Sequence, residues 1–225
     1  MKKTTALGVV TLLGTTVLGT SQVFAQDTTP TPGTTETPVT ATFTVTDDNA
    51  NVELPDTSTD GDHDKNPEVG LFGIAYQPKA FNASAQLQSS GEQKVDLSSG
   101  SSNNNFHVGV KDSTKAKHSW TLKANLEWTS ANKAYLDGST IEIAGGEAKK
   151  NNSGGLIATD EVTAVANTAN IGTTQEELMK SVSTKTMNGV YDYGFTSAKL
   201  VIPDTSSVAG GTYNGKVNWN LSLAE

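Results

Sequence analysis

Residues 120–128 read WTLKANLEW, and residues 213–223 read YNGKVNWNLSL. In the first stretch Trp120, Leu122, Ala124, Leu126 and Trp128 are apolar, with Thr121, Lys123, Asn125 and Glu127 between them. In the second, Tyr213, Val217, Trp219, Leu221 and Leu223 fall at odd positions, and Asn214, Lys216, Asn218, Asn220 and Ser222 at even ones. A period of two sends successive side chains to opposite faces of a strand, so each stretch offers one face to a core and the other to water. Shorter runs alternate in the same way: Phe43 and Val45; Phe106, Val108 and Val110; Ile141 and Ile143; Ala198, Leu200 and Ile202. From about Ala41 onward the chain is broken by clusters of Gly, Asn, Asp and Ser, as expected of strands joined by turns. The pattern predicts an all-β, sandwich-like domain. One short helix is expected near 174–183, where Thr174 and Glu177 have capping-box spacing and Leu178, Met179 and Val182 would form a buried side.

With 225 residues, the chain has room for one domain with a sizeable core, flanked by targeting and linker segments. Lys2 and Lys3 precede an apolar stretch from Ala6 to Leu18, and Val23 and Ala25 are small residues suited to signal peptidase cleavage before Gln26. Residues 1–25 are thus expected to be a signal peptide. The stretch is too short and too rich in Thr and Gly to span a membrane. Residues 26–40, QDTTPTPGTTETPVT, cannot bury apolar surface and read as an extended, flexible linker before a domain at 41–225. No second hydrophobic span and no C-terminal sorting signal is apparent, so retention at the cell is expected to be non-covalent.

The chain carries 16 basic and 24 acidic residues, a net charge of −8, and loss of the leader with its two lysines makes the remainder more negative still. Such a chain repels a phosphate backbone, which argues against nucleic-acid binding. All the basic residues are lysines, so the bidentate clamp that arginine offers phosphates and carboxylates is missing. The absence of cysteine excludes disulfides, thiol catalysis, Cys-ligated zinc and a lipidated cysteine. An exported protein held together by its core alone fits a Gram-positive surface.

Several tempting motifs fail on their context. Gly210–Val217, GGTYNGKV, approaches a phosphate-binding loop, but Val217 stands where a hydroxyl should bind magnesium, and a strand follows in place of a helix. Asp60, Asp62 and Asp64 have the alternate spacing of calcium ligands. Lys65 and Asn66 stand where the loop glycine belongs and Leu71 where the closing Glu belongs, so the segment reads as a solvated loop containing an exposed His63. His107 alternates with Phe106 and Val108 and is expected to face outward. His63, His107 and His118 occur in unrelated contexts, and neither a G-x-S-x-G elbow nor an H-E-x-x-H pair occurs. No catalytic residue, metal or cofactor is assigned, and a non-enzymatic protein is expected.

Trp120-Thr121-Leu122 and Trp219-Asn220-Leu221 are two W-x-L triplets, and the second lies within Tyr213-x-x-x-Val217-x-Trp219-x-Leu221. Together with VGLFGIAYQPKAF at 69–81, Ile202-Pro203 and Gly211-Thr212-Tyr213, they give a layout that resembles the WxL domain of Gram-positive surface proteins. The resemblance covers about residues 41–225 and the leader. It departs from the common pattern at Asn218, where Thr often precedes the second Trp, and at Glu225, where Pro is frequent. It implies non-covalent attachment to the cell wall with peptidoglycan as ligand, and association with companion WxL and WxL-interacting surface proteins. The physics of the stripes adds a constraint. Continuous apolar faces pack inward, so both triplets are expected to be mainly core, with Trp128, at its strand's end, the better candidate for an exposed glycan contact. Removal of the last strand is then expected to unfold the domain.

Overall fold

The computed structural model describes residues 36–58, 61–99 and 105–223. Residues 43–225 form one compact unit and residues 1–42 a separate one, whose described residues 36–42 lack regular secondary structure. Among the described residues the strands form three antiparallel sheets. The largest orders β1 (His63–Lys65), β2 (Phe72–Pro78), β4 (Phe106–Asp112), β12 (Gly189–Phe195), β7 (Glu147–Asn152) and β8 (Gly155–Ile157). A second orders β10 (Thr168–Ile171), β6 (Thr140–Ala144), β13 (Ser197–Ile202) and β3 (Gln93–Asp96). The third orders β14 (Gly215–Leu223), β5 (Trp120–Trp128), β11 (Glu176–Ser181) and β9 (Val162–Ala164). The all-β, sandwich-like expectation holds.

The inward faces of all three sheets share one core. Phe106 and Phe195 lie directly opposite each other on β4 and β12, with rings stacked at 5.1 Å. Val108, Val110, Tyr191 and Tyr193 continue that face, and β5 adds Trp120, Leu122, Ala124 and Leu126. Ile141, Ile143 and Ile171 come from the second sheet. Burying side chains of this size stabilises the fold by about 1.5–3 kcal/mol each relative to exposure.

The helix expected near 174–183 is absent. Residues 176–181 form β11, paired with β5 on one side and β9 on the other. A bulge between Glu177 and Met179 lets both Leu178 and Met179 point into the core, each fully buried. A bulge puts two successive residues on one face, which imitates the crowded apolar side of a helix in sequence.

The histidine expectations also need correction. His107 does face away from Phe106 and Val108, but that face is covered, and the residue is buried. Val52 and Leu54 pack there against Ala75, Tyr76 and Val190. Asn151 Nδ2 donates to the Glu53 carbonyl at 2.7 Å, the Asp56 amide donates to Gly154 O at 2.8 Å, and buried Lys111 reaches Asp47 at 2.7 Å. Tyr76 lies across Gly109, where a Cβ would fall 2.3 Å from its ring, so only glycine fits there. His63 lies on β1, buried and not exposed.

Candidate functional site

The two W-x-L triplets occupy adjacent antiparallel strands. Leu221 lies opposite Leu122, Trp219 opposite Ala124, Val217 opposite Leu126, Leu223 opposite Trp120 and Gly215 opposite Trp128. Directly opposed residues share a face of the sheet, so both triplets point to the same side. Their surroundings nevertheless differ, because among the described residues β5 is flanked by β14 and β11 whereas β14 is an edge.

Trp120 and Leu122 are fully buried. The Trp120 indole Nε1 donates to Asp112 Oδ2 at 3.0 Å, and its backbone amide donates to Ser181 Oγ at 2.8 Å. The same buried carboxylate oxygen lies 2.8 Å from His118 Nε2. A buried indole N–H needs an acceptor, and Asp112 is that acceptor. The first triplet is therefore core, as expected.

The second triplet is not. Val217, Trp219 and Leu221 pack against the core but remain half-buried, and Leu223 is 59% exposed. Beside β14 runs a cleft of about 1550 Å³ that Val217, Trp219, Trp128 and Tyr213 help to line. Its far side is built by residues 80–87 with Leu200 and Ile202. Trp128 is half-buried, and its ring lies over Gly215, where a Cβ would come within 2.8 Å. Its Nε1 donates to Ser139 Oγ at 2.8 Å, which in turn donates to Leu136 O at 2.7 Å. The Tyr213 hydroxyl donates to Ala209 O at 2.7 Å, closing the turn that enters β14. That turn is the phosphate-loop look-alike, and a strand follows it.

Of the predicted site residues, the structure brings Trp128, Tyr213, Val217 and Trp219 together on the cleft; Trp120 and Leu122 lie in the core, and Leu221 packs against it. Among the described residues lining the cleft only Asp64, Lys79 and Lys216 are charged. In a chain with so large an acidic excess, that leaves an almost neutral, aromatic-floored groove. The side chains that alternate with these along the strand pair are polar: Asn218 Nδ2 donates to Glu127 Oε2 at 3.2 Å and Asn220 Nδ2 to Asn125 Oδ1 at 3.3 Å, and Asn125, Lys216, Asn218 and Asn220 line the cleft as well. Asn218, and after it Lys216, holds the Glu127 carboxyl below its usual range. Nothing in the local sequence singled out residues 82–87 or Ser139, because their place beside the tryptophans arises from long-range pairing.

Among the described residues no group of three or more His, Asp or Glu side chains could hold a metal ion. Asp60 lies outside the described residues, Asp62 is buried, and Asp64 is an exposed residue of strand β1. Sequence reasoning also missed a polar network on the covered face of the largest sheet. Asp192, buried, accepts from Tyr76 Oη and His107 Nδ1, each at 2.9 Å. The other ring nitrogen, Nε2, lies within hydrogen-bond distance of the Thr57 hydroxyl, at 2.9 Å. The His107 amide donates to His63 Nε2 at 2.9 Å. Burial, with a smaller contribution from His107, lowers the His63 pKa to about 4, against the pull of Asp62 and Asp64. The network fastens residues 53–58 to the sheet.

Among the described residues no helix is long and apolar enough to cross a membrane. Neither curated proteins nor solved structures yield a match to the chain. The sequence profile of one family does match, over residues 24–224, nearly the whole chain, and that family is described as WxL domain, surface cell wall-binding. With both W-x-L triplets on one paired face and the match spanning the chain, this protein belongs to the WxL family of surface cell wall-binding domains.

Proposed function

We propose that this protein attaches non-covalently to peptidoglycan through the cleft beside β14, with Trp219 and Trp128 as the aromatic contacts. The observation that carries the reading is the pair of half-buried indoles on a nearly uncharged groove of about 1550 Å³ in an otherwise acidic chain. Sugar rings present apolar faces that stack on indoles, and their hydroxyls suit neutral amide partners such as Asn82, Gln86 and Gln175, which also line the cleft. In this reading residues 1–25 direct export from a Gram-positive cell, 26–40 form a flexible lead, and 41–225 make up the binding domain.

The test is co-sedimentation with peptidoglycan stripped of accessory polymers, with circular dichroism to verify folding. Wild type should sediment, and a folded Trp219→Ala should stay in solution. Failure of the folded wild type to sediment would overturn the proposal. The protein acts without catalysis, and the Asp192–His107–Thr57 chain serves as a fastening. Hydrolysis of an activated ester that Thr57→Ala abolishes would refute that. Assembly with companion surface proteins is the second reading, favoured by the open edge of β14, and a companion captured in the absence of wall would support it.

A further inference from the structure

The pairing of β14 with β5 determines which backbone groups of β14 are spent and which are not. The Thr129 amide donates to Asn214 O at 2.8 Å, which makes this the hydrogen-bonded kind of pair in the β5–β14 register. Such pairs alternate along an antiparallel ladder. Lys216, Asn218, Asn220 and Ser222 therefore turn their N–H and C=O groups toward β5. Gly215, Val217, Trp219, Leu221 and Leu223 turn theirs outward, to the side where, among the described residues, no strand pairs. The Leu126 and Trp120 amides confirm the alternation, since they donate away from β14, to Gly172 O and Ser181 Oγ.

Natural sheets blunt such edges with proline, bulges or several charges. β14 has no proline, an unbroken register from Gly215 to Leu223, and a single charge at Lys216. Its outward backbone groups belong to the very residues whose apolar side chains remain half-buried or exposed. Main chain and side chains are thus both unfinished on one edge.

We propose that this edge pairs with the same edge of a second copy of the chain, antiparallel about a twofold axis through Trp219, joining two four-stranded sheets into one. This is the register that uses the whole strand, and in it every outward group meets an outward group. On the apolar face it sets Val217 beside Leu221 of the second copy and the two Trp219 side chains beside each other. On the polar face it sets Asn218 beside Asn220 and Lys216 beside Ser222, so no like charges are opposed. A twofold contact of this kind is self-complementary and closed, so it ends at a dimer and does not propagate as a fibre.

Ser222 supplies the test. It is exposed, and in this register it faces Lys216 of the other copy. Ser222→Glu should tighten the dimer and Ser222→Lys loosen it, each by about three- to tenfold in dissociation constant, because the contact occurs twice per dimer. Overall charge predicts the reverse: in an acidic chain an added lysine lowers repulsion between copies and an added glutamate raises it. Leu221→Pro removes an outward amide that β5 does not use, and should give a monomer. Sedimentation equilibrium of the purified protein in the absence of wall, over a range of concentrations, reads all three. A wild type that stays monomeric at high micromolar concentration overturns the proposal. So does a dimer that ignores Leu221→Pro, or one that Ser222→Lys tightens. Should Leu221→Pro fail to fold, the opposite signs at Ser222 still decide.

Discussion

The same three-letter pattern has two fates in this protein. On β5 it is fully buried, with the indole N–H fastened to a buried carboxylate; on β14 it is half-buried and borders a cleft. The strands are direct partners, and their triplets point to the same side. What separates them is one flanking strand, since β5 has neighbours on both edges and β14 on one. A motif that names a family can therefore combine a structural half and a surface half.

The harshest way to break this comparison is to remove residues 218–223. β5 would lose most of its partner on that side, and the half-buried Trp219 and Leu221 would be lost with it. Loss of cooperative unfolding by circular dichroism is expected, and a truncated protein that stays folded and sediments with wall would show that β14 is dispensable.

Next in size is Trp120→Ala, expected to cost about 3–5 kcal/mol, the usual penalty for truncating a buried aromatic. Trp219→Ala should cost only about 1–2 kcal/mol, because less of its area leaves water. Urea denaturation of the two variants measures the difference directly. Equal losses would mean that the edge position does not distinguish the triplets.

Acid offers a way to weaken the fold without touching either triplet. His63 has its folded pKa lowered to about 4 from an ordinary value of 6.5, so between these values the unfolded chain binds more protons than the folded one. Stability should therefore be fully present above about pH 6.5 and decline as pH falls toward 4. Melting temperature measured across that range should fall with acid, and His63→Gln should flatten the slope. Wall binding by the fraction that remains folded should not follow it, because neither His63 nor its partner His107 lines the cleft.

The smallest effect sharpens the cleft itself. Ser139→Ala leaves the Trp128 N–H without its acceptor and should cost about 0.5–1.5 kcal/mol. If Trp128 contributes to the wall contact through its held orientation, sedimentation should weaken further than this stability loss accounts for. Unchanged sedimentation would leave Trp219 as the principal aromatic contact.

The histidine network and β11 show where reading the chain alone stops. Alternation puts His107 on the face opposite Phe106, but it says only that a side chain turns away from its neighbours. Whether water or protein lies there depended on residues 52–58, more than forty positions earlier in the chain. Leu178 and Met179 form an apolar doublet that a helix or a bulged strand can equally bury, and the choice was made by pairing with β5 and β9. The cleft is legible in part: Trp128, Tyr213, Val217 and Trp219 stand out from their pattern, whereas residues 82–87 and Ser139 carry no local signal.

By itself the sequence determined the strand character, the inward-facing sets on β4, β5 and β14, the acidic charge and the family, because period-two alternation and the spaced W-x-L triplets are local properties. Only the tertiary structure decided that β5 would be central and β14 an edge, and so which tryptophan is core and which borders a cleft. The physical reason is that burial depends on what covers a face and what flanks a strand, and in an antiparallel fold both are supplied by segments distant in the chain.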